Sequence, residues 1–515
     1  MLYVSIIVEL LRARPALTVW IAAGLQAAVW TLVPAGFYAG PPGNLPFVLA
    51  IGHEFHFGTY LGPPLAFWLA EIVFRLSGRS FFAIYALSQV CVLVTYWAMF
   101  RLGRAIVGAQ QAAIAVLLLV GISSCTVATP EFGPAVLAMP LWSLTLLHYW
   151  LTIVKGERKH QIALAIDVAL ILTTTYAAIV LIPLLALFTC ANPRTRPLLR
   201  GRTLWPAGAA AIALLPLLLY WAVASNDDLG PMLTRLRDAS AVAGNFTAWL
   251  RQLGVLIGTQ AGLIVLVSIV AHYPWSKSRP APVITRAPLD PFAQQFVFFF
   301  ATMPALLATI GAVLVGSPTP VGGTAPLLLL SGIAVVIAAG DAIALSHQRS
   351  VIATWFGLLV APPVLAVLAL AILPWFGIDL AINQPAAAIA PFFADSFQRR
   401  FGKDLPIVTG DARTAALVSL ATARPSLFLQ ATPRRSPWIS MRDIAAKGAV
   451  VIWPTNDTAG QPPAAILQDF PDMVPEVPHT FERTVRGNLP PLRFGWAVIR
   501  PQPPETSGPA SPAKP

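Results

Sequence analysis

Several polar and titratable side chains stand close together between two long apolar regions of this sequence. They are His53, Glu54, His56 and Tyr60. A carboxylate such as Glu54 is a candidate general base, because a positioned carboxylate can take a proton from a reacting hydroxyl. The two histidines, at spacing i,i+3, could hold a divalent metal together with Glu54, but the HExxH spacing of zinc enzymes is absent. We therefore expect interfacial polar roles for His53 and His56, and a cofactor is not predicted.

The residues that follow predict a short helix, which would position this polar stretch. Pro63 and Pro64 suit the first turn of a helix, where an N–H has no partner. Apolar residues then recur at helical spacing: Leu65, Trp68, Leu69, Ile72, Val73 and Leu76. Glu71 and Arg75 form an i,i+4 pair on the opposite, surface side, and Gly78 ends the helix. A helix of this kind is expected to lie in a membrane interface rather than to cross the membrane.

The same loop supplies candidate ligand-binding side chains. Tyr60 and Trp68 either contact a ligand or anchor the loop at the membrane interface, and interfacial anchoring is the default. Arg75 and Arg79 either bind an anion through charge-assisted hydrogen bonds or simply lie at the interface. Upstream, Asn44 is predicted to cap another short helix. The loop is thus predicted to be a structured, polar-lined platform.

The composition of the chain indicates a polytopic membrane protein. Of its 515 residues, 57% are hydrophobic and only 11% are charged. The formal net charge of +12 would suggest nucleic acid in a soluble protein. Here the basic residues concentrate in loops between apolar segments, so membrane topology explains them and no nucleic-acid partner is expected. Three scattered cysteines give no disulfide framework.

The apolar segments, among them residues 109–128 and 325–345, predict a mainly α fold, a transmembrane helical bundle with about eleven crossings. The first external loop spans residues 37–79. The basic loops place the N-terminus and residues 155–160, 194–202 and 274–290 in the cytoplasm and the C-terminus outside. Asp167 and Asp341 fall in or beside apolar spans, near predicted cytoplasmic ends, and we expect both to be exposed.

Residues 161–190 have the length of one crossing, yet basic loops flank them on both ends. Two short helices that turn at Thr173–Tyr176 reconcile these facts. Backbone that is not helical at this depth is tolerated only against protein or a water-filled cavity, so Tyr176 becomes a candidate cavity residue. The alternative is one tilted helix whose threonine hydroxyls bond back to their own backbone.

The composition changes after Trp375. Residues 1–376 are predicted to form the membrane domain and residues 377–500 a small α/β domain, since strand patterns alternate with helix patterns there. Topology places this domain in the periplasm. Residues 501–515 are rich in Pro, Ser and Ala and are predicted to be disordered.

The loop resembles the first external loop of the GT-C superfamily of integral-membrane glycosyltransferases. It is most similar to the bacterial dolichyl-phosphate-mannose–protein mannosyltransferase and aminoarabinose-transferase type. The matching residues are Gly52, Glu54, Phe55, Gly58, Pro63, Pro64, Leu65 and Trp68. Further matches are Ala86–Gln89, Glu131–Phe132, Pro140–Trp142, Arg424–Ser426 and Ser436–Trp438. The resemblance implies transfer of a sugar from a polyprenyl-phosphate carrier to a lipid, polysaccharide or protein acceptor, in the inner membrane of a bacterium. It makes Tyr60 and Trp68 candidates to stack on the sugar, and Arg75 and Arg79 candidates to hold the lipid phosphate.

One departure from the family pattern bears on the catalytic residue. Relatives carry an aspartate, taken as the catalytic base, where this chain has Asn44, and an amide cannot take a proton as a carboxylate does. Another acid must then replace it, and Glu54 and Glu131 are the candidates, unless the chain is an inactive relative that acts as a partner. A transporter or flippase of a glycolipid is the second alternative, although the sequence shows no internal repeat.

Overall fold

The computed structural model describes residues 2–200, 203–224, 242–271, 283–315, 317, 319–344 and 348–502. The predicted disordered tail lies outside the described residues, except for its first two positions. The greater part of the loop that contains Asp227, Asp228, Arg235, Arg237 and Asp238, and the basic residues Lys277 and Arg279, also lie outside them.

Helices form most of the described chain. In the first half they are α1 (Leu2–Ala13), α2 (Pro15–Phe37), α3 (Leu45–His53), α4 (Leu65–Leu76), α5 (Phe81–Val107), α6 (Ala109–Leu117), α7 (Pro134–Lys155), α8 (Arg158–Leu172), α9 (Ala178–Ala191), α10 (Arg196–Arg200) and α11 (Trp205–Ala224). In the second half they are α12 (Val242–Thr259), α13 (Ala261–Ala271), α14 (Pro291–Val315), α15 (Ser331–Ala338), α16 (Gln348–Ile372), α17 (Ala386–Phe401), α18 (Ala412–Val418), α19 (Met441–Lys447) and α20 (Ala464–Asp469).

Five of these helices are long and apolar enough to cross a membrane: α2, α5, α7, α14 and α16. The pair α12 and α13 passes the same test as a unit, with a bend of 59° between the two helices. The chain is a multi-pass membrane protein with a helical bundle, as predicted. Several other apolar helices, including α9 and α15, are shorter. The count of about eleven crossings stays a prediction.

Two predicted spans differ from the structure in their extent. The span predicted at 109–128 ends its α-helix at Leu117 and continues as 3-10 turns. The span predicted at 325–345 contains only the short α15, and strand β2 (Ala342–Ala344) follows it. This strand pairs antiparallel with β1 (Val283–Thr285). Hydropathy misses such a pair, because both strands are three residues long and apolar like a helix end.

By contacts within the chain, the residues divide into two compact units. The first comprises Met1–Phe37 and Phe57–Leu368, and the second comprises Tyr38–His56 and Ala369–Pro515. The first half of the external loop therefore groups with the C-terminal residues. This division follows packing alone, and the domain bounds at 376 and 500 stay a prediction.

The first unit is the helical bundle. Helix α5 packs against α2, α6 and α7, and α7 packs against α8. An aromatic cluster fills the contact between α7, α9 and α14, where Phe188, Phe296 and Phe300 surround Tyr149. Interior aromatic residues of this size make helix packing specific, since their rings fit only in certain arrangements.

The second unit contains a six-stranded mixed sheet. Its strands are β3 (Ile407–Gly410), β4 (Ser426–Leu427), β5 (Ala449–Pro454), β6 (Val474–Pro475), β7 (His479–Phe481) and β8 (Leu492–Ile499). The order is β4-β3-β5-β8-β6, and β7 also pairs with β8. β3 is parallel to β4 and β5, whereas β8 is antiparallel to its neighbours. The small C-terminal α/β domain is thus confirmed.

Candidate functional site

Helix α4 has the predicted start and end. Pro64 is its N-cap residue, Ser77 is its C-cap, and Gly78 follows with a φ of 68°. A positive φ of this size suits glycine, because a side chain there would crowd the backbone. The backbone N–H of Leu65 donates to the carbonyl of Thr173 at 3.0 Å. The first turn of α4 is therefore tied to the turn between α8 and α9.

A tight turn precedes α4 and carries Tyr60. Thr59 and Gly62 exchange two backbone hydrogen bonds, of 2.9 and 3.1 Å. A Cβ at Gly62 would lie 2.8 Å from the ring of Pro134, the first residue of α7, so only glycine fits. The hydroxyl of Tyr176 donates to the carbonyl of Thr59 at 2.6 Å. The structure thus brings together Tyr60 and Tyr176, two residues that the sequence nominated separately.

The chain breaks between α8 and α9 at Thr173–Ala177, which confirms two short helices in place of one. One part of the alternative, that threonine hydroxyls bond to their own backbone, also holds. The hydroxyls of Thr173 and Thr174 both donate to the carbonyl of Leu170. Bonds of this kind satisfy polar groups where a helix ends inside protein. The Thr174 side chain is fully buried (0% exposed), so the turn packs against protein at this residue.

Trp68 belongs to a small aromatic group on α4. Its ring meets Phe57 edge to face, with centroids 4.9 Å apart. Gly58 has a φ of 80°, and a Cβ there would lie 2.5 Å from the Trp221 ring. The loop backbone therefore lies directly against α11, and three aromatic rings surround the segment that leads to Tyr60.

The pair of Glu71 and Arg75 forms as predicted, with Nε of Arg75 2.6 Å from the carboxylate. The prediction that it is a surface pair is wrong for Glu71, whose side chain is 0% exposed. Arg75 is half exposed and Arg79 is exposed. A buried carboxylate next to an arginine fixes the position of the guanidinium and keeps its charge compensated.

Glu131 is exposed and lies in the turn just before α7. This turn is the second external loop of the predicted topology. Side chains from the bundle fix the residues before it. Gln89 donates from Nε2 to the Thr129 hydroxyl at 2.9 Å, and this hydroxyl bonds to the Thr126 carbonyl at 2.6 Å. Gln26 donates to the Cys125 carbonyl at 2.7 Å. Hydrogen bonds from buried polar residues such as these help to hold a loop in one conformation.

The first half of the loop lies in the second unit. Asn44 stands directly before α3, as predicted, but within the described residues its side chain makes no capping hydrogen bond. Two arginines of the C-terminal segment bond to the backbone around it. Arg413 donates to the carbonyls of Gly43 and Pro41 at 3.1 and 3.4 Å. Arg424, only 7% exposed, donates to the carbonyl of Leu49 at 3.0 Å.

Glu54 follows α3 as its C-cap residue. Its Oε1 atom is buried, and no hydrogen-bond partner for this atom occurs among the residues that the structure describes. Most buried polar atoms have a partner, so an exception marks strain, a water or ion that binds there, or a functional group. The ring of His56 lies 5.7 Å from that of Trp438.

Metal binding by His53, Glu54 and His56 is the alternative that the sequence leaves open. Across the ranges that the structure describes, no group of three or more His, Cys, Asp or Glu side chains could hold a metal ion. That the protein needs no cofactor stays a prediction.

Comparisons with known proteins concern the sequence family and the overall fold. Residues 62–221 match the family model described as dolichyl-phosphate-mannose-protein mannosyltransferase. The structure is similar to that of ArnT from Cupriavidus metallidurans bound to undecaprenyl phosphate, with a TM-score of 0.59 and 12% identity. This alignment covers 94% of this chain and 98% of ArnT. Over residues 62–221 the predicted resemblance to this type of mannosyltransferase is confirmed, and the similarity to ArnT concerns the fold.

Two further comparisons have lower scores. The apo state of the same ArnT aligns with a TM-score of 0.47, 13% identity and the same coverage of both chains. The oligosaccharyltransferase AglB from Archaeoglobus fulgidus, in complex with an inhibitory peptide and a dolichol-phosphate, aligns with a TM-score of 0.41 and 12% identity. That alignment covers 79% of this chain and 63% of AglB. No curated protein sequence is significantly similar to this chain.

Two C-terminal segments that carry the GT-C resemblance, Arg424–Ser426 and Ser436–Trp438, make hydrogen bonds in the structure. Arg424 lies in the segment Arg424–Ser426 and bonds to α3. In the segment Ser436–Trp438, the Ser436 hydroxyl accepts from the Leu429 N–H at 2.8 Å, and Trp438 donates to the Leu427 carbonyl at 3.1 Å. Arg413 was missed altogether, because an arginine on a short amphipathic helix resembles any surface cation.

The expectation for Asp167 is wrong. This residue is 5% exposed, and its carboxylate lies 2.5 Å from Nδ1 of His148 on α7. A buried acid on an apolar helix requires such a partner, and the partner lies on the preceding helix, where no sequence pattern connects the two. Asp341 is about half exposed, as expected, and pairs with Arg286 at 3.0 Å.

Proposed function

We propose that this chain is a membrane glycosyltransferase, which moves a sugar from a polyprenyl-phosphate carrier to a lipid, polysaccharide or protein acceptor on the periplasmic face. The observation that carries the proposal is the buried carboxylate oxygen of Glu54, for which the described residues offer no partner. It lies in the motif that resembles the first external loop of the superfamily. The ArnT structure of similar fold has undecaprenyl phosphate bound, which supports a lipid-phosphate donor.

The proposed reaction is an inverting transfer. Glu54, or Glu131 in its place, takes the proton from the acceptor hydroxyl. The hydroxyl oxygen then attacks the anomeric carbon of the sugar on the side opposite to the phosphate, and the bond from this carbon to the phosphate oxygen breaks. Asn44 stands where relatives have the aspartate and contributes an amide rather than a base.

The leaving polyprenyl phosphate requires cations, because negative charge develops on its oxygen. Arg75 and Arg79 lie exposed at the C-terminal end of α4 and are the proposed ligands of this phosphate. Glu71 holds Arg75 through Nε, which orients the guanidinium. Tyr60, Trp68 and Tyr176 are the proposed sugar-contacting residues, and His53 and His56 the proposed polar residues of the rim.

Donor turnover by the purified full-length chain tests the proposal. The protein, in lipid nanodiscs, would receive a panel of polyprenyl-phosphate sugars together with a membrane glycolipid extract. We expect free polyprenyl phosphate, detected by mass spectrometry, only when an acceptor is present. If the chain instead moves labelled glycolipid across vesicles without cleaving the donor, it is a flippase. If it does neither but binds another glycosyltransferase, it is the inactive partner that Asn44 makes conceivable.

The proposed orientation places the N-terminus inside and the C-terminal domain outside. Gly410 is a poor labelling position, since a Cβ there would lie 2.0 Å from the Ile452 carbonyl oxygen, whereas Ala459 is exposed. We expect Ala459→Cys to react with an impermeant thiol reagent in cells whose outer membrane is permeabilised. The native Cys190 is exposed and predicted to be cytoplasmic, so it serves as the internal control. Labelling of Cys190 but not of Ala459→Cys in intact inner membranes would reverse the topology.

A further inference from the structure

A cavity lies in the helical unit, and its lining does not include the loops that carry the candidate catalytic residues. Its volume is about 930 Å³. Arginines from three separate segments line it: Arg12 at the end of α1, Arg194 after α9, and Arg286 after β1. Asp290 is the only carboxylate among the described lining residues. The lining thus holds three guanidinium groups and one carboxylate, and Glu9 and Asp341, beside the cavity, pair with Arg12 and Arg286.

Hydrogen bonds hold Arg286 in the wall of this cavity. The Arg286 side chain is 5% exposed. It donates to Asp341 and to the Gln111 side chain, each at 3.0 Å, and Gln111 in turn donates to the Asp341 carbonyl at 3.3 Å. Burying a guanidinium is costly unless its donors are satisfied, so this wall is fixed in one conformation.

The other two arginines lie at the rim and are less confined. Arg194 is hydrogen-bonded to Asp290 and lies 5.5 Å from the centre of the Phe292 ring. Arg12 is tied to α6, because the Gln110 amide donates to its carbonyl at 2.9 Å. Arg12 also pairs with Glu9 at 3.1 Å. Both ion pairs are exposed, and exposed ion pairs contribute little to stability, so the two guanidinium groups can reorient toward a ligand.

The first turn of α6 also lines the cavity, from Gly108 to Gln111. N–H groups at a helix start favour anions, and they add here to the arginines. Apolar side chains line the cavity as well, among them Ile106, Ile153 and Val154. A site that combines guanidinium groups with apolar side chains suits a phosphate that is attached to a hydrocarbon chain, since arginine binds phosphate oxygens in pairs.

We propose that this cavity binds an anionic phosphate group, carried by a membrane phospholipid or by a small soluble phosphate compound. The site is independent of the proposed glycosyl transfer, because none of its lining residues belongs to the platform loop or the second external loop. Arg12 and Arg194 belong to the basic residues that the sequence predicts on the cytoplasmic side, so the bound phosphate would be on the face opposite to the proposed reaction.

Ligand-dependent thermal stabilisation of the full-length protein tests this site. The protein in neutral detergent would be titrated with short-chain phosphatidylglycerol in one arm and with inorganic phosphate in the other. We expect a saturable rise of the unfolding temperature, since a ligand that binds only the folded state stabilises it. A rise with the lipid alone assigns a phospholipid, and a rise with both assigns a phosphate that needs no chain. No saturable rise in either arm overturns the proposal.

Variants separate this site from general attraction to basic surfaces. Arg12→Gln with Arg194→Gln should weaken binding by roughly tenfold or more per arginine, because each removes charge-assisted bonds. The matched control is Arg101→Gln with Arg104→Gln, since both residues are exposed near the end of α5 and do not line the cavity. Equal loss in both pairs would show non-specific attraction and overturn the site.

A third variant remains informative if loss of Arg194 impairs folding. Ala109→Glu places an acid in the first turn of α6, where the helix dipole favours negative charge, so folding is preserved. The same carboxylate repels an anion in the cavity. We expect the ligand-dependent stabilisation to fall by roughly tenfold or more in affinity, and unchanged affinity in this folded variant would contradict the proposal.

Discussion

The two halves of the first external loop are held by different parts of the molecule. Tyr38–His56 groups with the C-terminal unit, where arginine side chains donate to its backbone carbonyls. From Phe57 onward, the loop groups with the helical unit through backbone bonds, glycine contacts and the Tyr176 hydroxyl. The boundary between the two groups of residues falls between His56 and Phe57.

This difference indicates a division of roles within the loop. The half that carries Asn44 and Glu54 is fixed through charged donors to backbone carbonyls. The half that carries Tyr60 and Trp68 is fixed by close packing, which tolerates little change in side-chain volume. The candidate acid and the candidate sugar-contacting residues therefore depend on separate supports, and variants can remove one support at a time.

The largest expected effect is in the half that carries Glu54. Glu54→Gln should lower sugar transfer by roughly 10²–10⁴-fold, as loss of a general base does, with the protein still folded in the membrane. Glu131→Gln is the matched variant in the other unit, and the exposed position of Glu131 makes the smaller loss the expected result. Transfer would be measured as release of polyprenyl phosphate.

Asn44→Asp sharpens the same test. It restores the carboxylate that relatives carry, and the rate should rise if this position faces the acceptor. Normal transfer by the double variant Glu54→Gln, Glu131→Gln would show that neither acid is the base.

Removing a support of the first half should have the next largest effect. Arg424→Met keeps most of the side-chain volume but removes the bond to the Leu49 carbonyl. A buried hydrogen bond from a charged donor contributes about 1.5–3 kcal/mol, so α3 should become mobile. Faster amide hydrogen exchange in residues 38–56, with little change in residues 57–78, is the expected measurement.

The control for this prediction is Arg442→Gln, since Arg442 is exposed on α19. If Arg424→Met accelerates exchange equally in both halves of the loop, the two supports are not separate.

Removing a support of the second half should have a smaller effect. Tyr176→Phe deletes one hydroxyl, which donates to the Thr59 carbonyl at 2.6 Å, and a neutral hydrogen bond contributes about 0.5–1.5 kcal/mol. Exchange should then rise at residues 58–62 and stay unchanged in α3. An unchanged exchange rate at residues 58–62 would show that the glycine contacts alone hold the turn.

The sequence predicts well those elements that depend on local pattern. The long apolar helices, the start of α4 at Pro64, its end at Gly78 and strand β3 all follow from spacing, proline and glycine. The broken helix at Thr173 follows from charge at both ends of one apolar segment. These features need no knowledge of distant residues.

Features that depend on distant partners escape the sequence. Glu71 was expected on the surface, yet it is buried, because what covers a helix face is decided by other segments. Asp167 pairs with His148, 19 residues earlier. Arg413 and Arg424 lie 370 and 375 residues from their loop partners. The candidate acid can thus be nominated from a motif, whereas the residues that hold it cannot.

The smallest expected effect concerns an arginine of the C-terminal unit that does not hold the loop. Arg400 forms an ion pair with Glu476, with Nη2 at 2.9 Å from the carboxylate. Hydrogen bonds from Arg400 hold the pKa of Glu476 below its usual range. The carboxylate therefore stabilises the folded state at pH values above its unfolded pKa, and this contribution disappears as the pH falls through the lower folded pKa.

The exposure of this pair limits its contribution to about 0.2–1 kcal/mol, reduced further by salt. Glu476→Gln should lower the unfolding free energy by this amount at neutral pH and by nothing in acid, where the native carboxyl is protonated as well. Denaturant unfolding at both pH values measures the difference. Because Arg400 contacts Glu476, which is outside the loop, and Arg424 contacts the carbonyl of Leu49 within it, exchange in residues 38–56 should stay unchanged in Glu476→Gln. A loop that loosens in this variant would mean that general stability of the C-terminal unit, rather than the two loop-bonding arginines, fixes the segment with Asn44 and Glu54.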